Sequence, residues 1–350
     1  MEFWIFCWGS GGNRRSALRY YFQRRSNNTG TVFRLKRDGS GFSILYNFPA
    51  FSTNFRGSPL AGLIEASDGR LYGTTSNSVF SLNKDGEGFR ILYGNLPSND
   101  AQAGVIEASD GALYGTSFYG GTHFSDGFIF RLNRDGSDLT VLHNFRSITN
   151  DGMGLKTALL EASDRFLYGT TRGGGANGLG VVYRLRKDGF GYAVLHGGYS
   201  LGPFVEGADR ALYGTRANAI FKLNKDGADY SVLHVFGQSP SDIGSLTAGL
   251  TKASDGMFYG TTANGGSPRL GTVFKMWPPQ TPNMVTATSD SAAQVTLTGM
   301  DGYQYQILCS PDLKNWSVLT TVTMSPTGIY TYTDNNPPPQ GAYYRAAWMP

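Results

Sequence analysis

The chain has 350 residues, among them 48 glycines, 15 prolines and two cysteines, and a formal charge of +4. Glycine and proline together stay under a fifth of the residues, short of the roughly 25–30% that accompanies low-complexity disorder, so a folded protein is expected. Cys7 and Cys309 are too few and too far apart for a disulfide framework. The lysines and arginines fall one or two per repeat (Arg34, Lys36, Arg131, Arg134, Arg184, Lys222, Lys225), which argues against a nucleic-acid footprint, and no apolar run reaches the roughly 18 residues of a membrane helix.

Taken in order, the chain opens on MEFWIFCWGSGG, which has an apolar run but neither a basic n-region nor a small-residue cleavage site, so it does not read as a signal peptide. The segment WGSGGNRRSALRYYF then stands where the rest of the chain has a first strand, a turn and a second strand. Back-translated and started one nucleotide later, it can yield GVLEATDGRLYGTT, a near copy of GLIEASDGRLYGTT at 62–75. Residues from about 8 to 25 are therefore expected to be a repeat read out of frame, with a divergent N-terminal cap as the alternative. Within it, ALRYYFQ alternates well enough to pair as a strand.

From Thr31 a regular series begins, and the unit at 102–145 shows its grammar. Four short segments, GVIEAS, ALYGTS, FIFRLN and LTVLHNF, are separated by turn residues, with Asp110-Gly111 after the first and Asp135-Gly136 after the third. Short alternating runs bounded by Asp-Gly predict antiparallel hairpins, with a type I′ turn at each Asp-Gly. The LYGT tyrosine recurs at Tyr72, Tyr114, Tyr168, Tyr213 and Tyr259, and the third-strand turn aspartate at Asp38, Asp85, Asp135, Asp188 and Asp226. Four strands in a period near 46 residues predict a β-propeller, of six blades if the N-terminal segment counts as one and with five or seven as alternatives; stacked solenoid coils are the competing architecture. The longest loops, 117–127 and 171–180, lie between second and third strands and so on one face, the default binding surface.

The last repeat stops after GTVFKM, one strand short. Because natural proteins cover such an edge, EFWIFCW at 2–8 is expected to pair beside 271–276 and close the ring. Capping by Trp277 and the linker, or loss of the closing strand from a longer array, are the alternatives. The expected organisation is thus a propeller over 1–276, a proline-rich linker at 277–282 and a small β-sandwich over 283–350, with five strand-like runs in the last.

The residues that could carry chemistry are mostly locked to the repeat. His143, His196 and His234 share one fourth-strand position with Tyr46 and Tyr93, so they read as packing, and one histidine per outer strand does not converge on a metal. Glu65, Glu107, Glu161 and Glu206 end first strands, and Asp68, Asp110, Asp164, Asp209 and Asp255 sit in the following turns. They read as solvated turn residues, or, if first strands line a channel, as a carboxylate ring for a cation. Asn83-Lys84-Asp85-Gly86-Glu87 lacks the twelfth-position glutamate of a calcium loop and reads as a turn. TRGGGANGLG lacks the ending of a phosphate loop and reads as a flexible connection. The LYGT tyrosines read as inter-blade packing ahead of a carbohydrate-stacking set. Catalytic, cofactor and metal sites are each expected to be none. The expected role is a non-catalytic binding or scaffold module, a monomer meeting a glycan or protein partner at the loop face. The alternative is a propeller enzyme on glycans, for which Asp126, His123 and Glu206 are the nominees.

The string GLIEASDGxLYGTT, then GTVFKL, a DG turn and FxVLHxF, resembles the choice-of-anchor tandem-repeat family called GloVer over residues 31–276. SPDLKNWSVL with the later TYTD and YYRA resembles immunoglobulin- or fibronectin-like modules that end large secreted bacterial proteins. These resemblances imply a secreted or surface-tethered repeat protein, although neither a leader nor a sorting tail is read here.

Overall fold

The computed structural model describes residues 3–5, 16–22, 30–36, 38–49, 59, 61–94, 96, 103–122, 126–146, 150–198, 200, 202–237, 244–253, 256–266, 270–276, 283–289, 292–298, 304–325, 327, 329–338 and 342–349. Among them there is no helix. Two compact units meet in sequence between Lys275 and Met276.

The first unit is a β-propeller of six sheets. Blade 1 is Phe3–Ile5, Ser16–Phe22, Thr31–Lys36 and Ser43–Asn47. Blade 2 is Ile64–Glu65, Leu71–Thr74, Val79–Leu82 and Arg90–Tyr93. Blade 3 is Ile106–Glu107, Leu113–Ser117, Phe128–Leu132 and Thr140–Asn144, and blade 4 is Leu160–Glu161, Leu167–Thr170, Val181–Leu185 and Ala193–Gly197. Blade 5 is Val205–Glu206, Leu212–Arg216, Ala219–Leu223 and Ser231–Val235. Blade 6 has three strands, Thr251–Lys252, Phe258–Thr262 and Thr272–Met276. Strands neighbour one another in chain order in every blade.

The N-terminal strand corrects one expectation. Phe3–Ile5 pairs with Ser16–Phe22 in the register Phe3↔Phe22, Trp4↔Tyr21, Ile5↔Tyr20, so it is the first strand of blade 1 and does not close blade 6. A nearby strand already hydrogen-bonded to its own third strand offers this segment a local partner, and local pairing carries the smaller loop-closure cost. The segment at 8–12, where a first strand was expected, lies outside the described residues.

The Asp-Gly turns are also not type I′. Gly86 N–H donates to Asn83 O (3.0 Å) and Asn83 N–H to Glu87 O (2.9 Å), while the Asp85 carboxylate accepts the Glu87 N–H (2.9 Å). The aspartate side chain holds its own residue at negative φ and only the fourth turn residue is left-handed. The turns between first and second strands are built alike, and in blades 4 and 5 their left-handed place is taken by Arg165 (φ 68°) and Arg210 (φ 63°).

The LYGT segment is buried throughout blades 2 to 5 at its Leu, Tyr, Gly and Thr. The leucine and tyrosine fill the seams. Tyr114 packs with Leu167 and Leu185 of the next blade, Tyr72 with Leu113 and Leu132, and Tyr168 with Leu212 and Leu223. Tyr213 is buried likewise and Tyr259 half-buried. The glycine has no room for a side chain: a Cβ on Gly115 would lie 2.4 Å from the Phe130 ring. The threonine reaches across the seam, with Thr74 Oγ1 donating to Ala103 O (3.1 Å), Thr116 to Thr157 O (3.2 Å) and Thr215 to Ala248 O (2.9 Å).

The second unit is a β-sandwich of two three-stranded sheets. One holds Asn283–Ser289, Ala292–Thr298 and Ile329–Asp334, the other Gln304–Ser310, Ser317–Thr323 and Tyr343–Met349. Val295 and Leu297 of the first sheet pack on Tyr305 and Ile307 of the second. Asn283–Ser289 is a strand beyond the five expected, because NMVTATS carries little apolar signal. Cys309 is buried here as a free thiol.

Two substitutions probe this account. Tyr168→Ala is expected to lower unfolding free energy by about 3–5 kcal/mol, the cost of truncating a buried aromatic, measured in a denaturant melt. Arg165→Gly is expected to raise it by about 1 kcal/mol by relieving left-handed strain.

Candidate functional site at the loop face

The first-strand glutamates are neither solvated nor a channel ring. Glu107, Glu161 and Glu206 each cross to the blade before their own. The Glu161 carboxylate accepts the Ser109 N–H (2.6 Å) and hydroxyl (2.6 Å), and Lys187 Nζ caps the pair by donating to Ser109 Oγ (2.7 Å) and Glu161 Oε1 (2.9 Å). The same clamp joins Glu206 to Ser163 and Lys225, and Glu107 to Ser67 and Arg134. Glu65 meets Lys84 at 2.5 Å. Burial pushes the Glu161 and Glu206 carboxyls up, but the serine and lysine hydrogen bonds outweigh it and hold both below the ordinary value of 4.5. At the seam between blades 5 and 6 the set is replaced: Ala208 stands in the serine's place and Lys252 in the glutamate's, and Lys252 Nζ donates to Glu206 O (3.0 Å).

Three of the turn aspartates are equally occupied, and Asp255 lies outside the described residues. Asp68, Asp110 and Asp164 accept the hydroxyls of Tyr72, Tyr114 and Tyr168 at 2.7, 2.8 and 2.7 Å. The fourth-strand histidines are packing, as their exchange with tyrosine implied. His143 stacks on Tyr192 (centroids 3.9 Å apart) and His196 on Tyr230 (4.0 Å), as Tyr46 stacks on Phe89 (3.9 Å). Among the described residues no group of three His, Cys, Asp or Glu side chains gathers as metal ligands.

The three enzyme nominees are not brought together. His123 lies outside the described residues. Glu206 is held in its clamp at the turn end of blade 5, whereas buried Asp126 belongs to the connection between second and third strands at the opposite end of blade 3. An open depression at the turn end of blade 3, lined by Asp110, Arg131, Arg134 and Asp135, is built from repeat-locked residues.

At the loop end the connections are better ordered than a glycine-rich sequence suggests. Three share one closure, in which the last glycine donates its N–H back to an earlier one: Gly127 to Gly120 O (3.3 Å), Gly180 to Gly174 O (3.0 Å) and Gly271 to Gly265 O (3.0 Å). A Cβ on Gly180 would meet Thr171 O at 2.1 Å, so the base of the loop requires glycine. TRGGGANGLG is thus a fixed loop base.

Blades 3 and 4 add a platform that the repeat does not encode. Gly152–Met153 pairs with Gly173–Gly174, tying the connection between the two blades to the loop of blade 4. Asp151 anchors it from below: its carboxylate faces His143 Nε2 at 3.0 Å, accepts the Tyr192 hydroxyl in a short hydrogen bond, and accepts the Gly152 N–H (2.9 Å). Burial pushes Asp151 up, yet its bonds to His143, Tyr192 and Gly152 keep it below 3.8. On top, Phe118 meets Tyr119 edge to face (4.5 Å), Lys156 Nζ lies 5.1 Å from the Phe118 ring, and the Met153 side chain lies over Gly173. Tyr119 (43%), Met153 (39%) and Leu179 (60%) stay exposed. Sequence reasoning missed this cluster because Phe118, Tyr119 and Met153 do not recur at their positions in the other blades; the departure from period in the 54-residue step from Tyr114 to Tyr168 was the available signal.

Fold and seams define the class, a β-propeller protein built from a tandem repeat. Residues 76–220 match the family model of the Gloeobacter/Verrucomicrobia repeat. No curated protein matches the sequence. The fold is similar to the extracellular domain described as that of a one-component system of B. thetaiotaomicron, with a TM-score of 0.52 and 9% identity over 93% of this chain; this chain spans 38% of that one. A gluconolactonase from Xanthomonas campestris has a TM-score of 0.45 and 17% identity over 70% of this chain and 79% of its own. An oligogalacturonate lyase from Vibrio parahaemolyticus has a TM-score of 0.46 and 10% identity over 93% and 78%.

The clamps set a pH dependence. A carboxylate held below its ordinary value stabilises the fold above that value and loses its contribution as pH falls through the lowered one. The melting temperature is therefore expected to fall below about pH 4.5. In Glu161→Gln that fall is shallower, and the variant is less stable than the parent at neutral pH by about 1–3 kcal/mol, the cost of a hydrogen-bonded charge pair left incomplete; melts across the pH range check both.

Proposed function

We propose that the protein is a non-catalytic binding module that works outside the cell and meets a glycan or protein partner at the loop face of blades 3 and 4. The observation that carries this reading is the contrast between the two ends of the propeller. At the turn end, carboxylates and cations are used up in the seams. At the loop end, glycine-locked bases present a platform on which Tyr119, Met153 and Leu179 are exposed; Tyr119 stands where the loops of blades 4 and 6 have Gly173 and Asn264, and Leu179 is matched by Leu270. Amphipathic aromatic and thioether groups on a rigid base suit recognition, since little ordering entropy is lost on binding.

The family resemblance and the likeness in fold to an extracellular domain support a place outside the cell. No helix among the described residues is long and apolar enough to cross a membrane. Hydrolysis or lysis of glycans is the less supported reading, because the pair of carboxylates it needs, about 5–10 Å apart, is not offered by Glu206 and Asp126 at opposite ends.

Screening the full chain against glycan and extracellular-protein arrays tests the proposal. The expected ligand binds the parent chain and loses at least about tenfold in affinity when Tyr119, Met153 and Leu179 are changed together to alanine, with the melting temperature unchanged. A ligand whose affinity ignores the triple change, or one that is cleaved with turnover, overturns it.

A further inference from the structure

We propose that the third strand of blade 6, Thr272–Met276, is a strand-accepting edge, and that its occupant is an extended segment of a second polypeptide carrying the fourth-strand sequence of this same repeat. Independently of the loop face, the chain contains five worked examples of how this edge is covered. In blades 1 to 5 the second residue of the third strand, or its equivalent, is Val32, Val79, Ile129, Val182 or Ile220, each no more than 1% exposed. Opposite them stand Tyr46, Tyr93, His143, His196 and His234.

The register is the same each time. A β-branched residue faces the next third-strand position, as in Phe33↔Ile44, Phe130↔Val141 and Phe221↔Val232, and a one-residue bulge separates the two pairs in all five blades. The chain leaving the fourth strand then returns an N–H to the carbonyl before the third, as Phe48 does to Gly30 O (3.0 Å) and Phe145 to Gly127 O (3.0 Å).

Blade 6 repeats the accepting half of this arrangement. Its TVFKM matches TVFRL of blade 1 in its first three residues, and Gly271 stands where Gly30 does. Phe274 still packs on the seam, 5.2 Å from Phe236. Val273, by contrast, is 78% exposed, whereas its counterparts are covered both by the fourth strand beside them and by the following blade, as Val32 is by Leu71 and Phe80. Among the described residues no fourth strand joins this sheet, and the N-terminal strand is committed to blade 1. An uncovered strand edge presents a row of backbone donors and acceptors that an extended partner completes. The five covered blades specify that partner's side chains: a β-branched residue, leucine, histidine or tyrosine, any residue, then phenylalanine in three of the five.

The probe is a labelled synthetic peptide of residues 138–146, which contains the fourth strand of blade 3, added to the full chain. Saturable binding is expected, with a rise in melting temperature that grows with peptide concentration as ligand linkage requires. Val273→Asp is expected to weaken binding at least about tenfold without moving the melting temperature of the free chain, since the side chain is exposed there. A peptide with proline at the place of Leu142 is expected not to bind, because proline cannot sustain the ladder, and this arm stands even if Val273→Asp fails to fold. Absence of saturable binding up to about millimolar peptide, equal binding by a scrambled peptide, or an affinity unmoved by Val273→Asp in a folded chain overturns the proposal.

Discussion

The molecule depends on a contact between blades. A four-stranded sheet with a two-residue first strand cannot cover its own faces, so each blade is stable only against its neighbours. Leucine, tyrosine and phenylalanine supply the apolar part of each seam. The Glu–Ser–Lys or Glu–Ser–Arg clamp supplies the directional part. It is charge-assisted and partly buried, with side-chain exposures of 12% for Glu161 and 22% for Lys187, so it gains more than a surface ion pair does. Its geometry fixes how far one blade is rotated against the next, because the backbone N–H and hydroxyl of one serine must both find the same carboxylate.

The repeat motif is therefore a set of instructions about neighbours written inside one blade. In LYGT the leucine fills a seam and the tyrosine reaches its own turn aspartate. The glycine yields to an aromatic ring of the third strand, and the threonine bonds the following blade. Because the first-strand glutamate bonds the preceding blade in the same way, a blade placed between two copies of itself is satisfied on both sides. Worn positions show what the pattern is for. Where Ala208 and Lys252 replace serine and glutamate, a lysine-to-carbonyl bond takes the place of the clamp, while the threonine bond across the seam is kept.

This use of polar residues bears on function. Carboxylates and histidines that would invite catalytic or metal readings in isolation are engaged in seams, turns or ring stacks. The turn aspartates push the pKa of Tyr72, Tyr114 and Tyr168 further above that of a free phenol, adding to burial as the larger cause, and so keep those hydroxyls as donors. What remains free to differ between blades is the loop end and the edge of blade 6, which no strand among the described residues covers.

The sequence by itself determined the strands, their grouping in fours, the break at the proline-rich linker and the packing role of the repeated histidines and tyrosines. These follow from period-2 alternation and turn residues, which act within a few positions of one another. It also carried every residue of the clamp, but not its meaning: Ser109, Glu161 and Lys187 are 52 and 26 residues apart, and periodicity shows that such residues recur without showing that they touch across copies. The turn type was not legible for a related reason, since Asp-Gly permits several turns and the aspartate's hydrogen bond chose among them. Tertiary structure alone decided that Phe3–Ile5 joins blade 1, that Glu206 and Asp126 lie at opposite ends, and that Asp151 anchors a platform between blades 3 and 4. Each of those is a matter of which distant segments share a neighbour, and a one-dimensional pattern contains no distance between them.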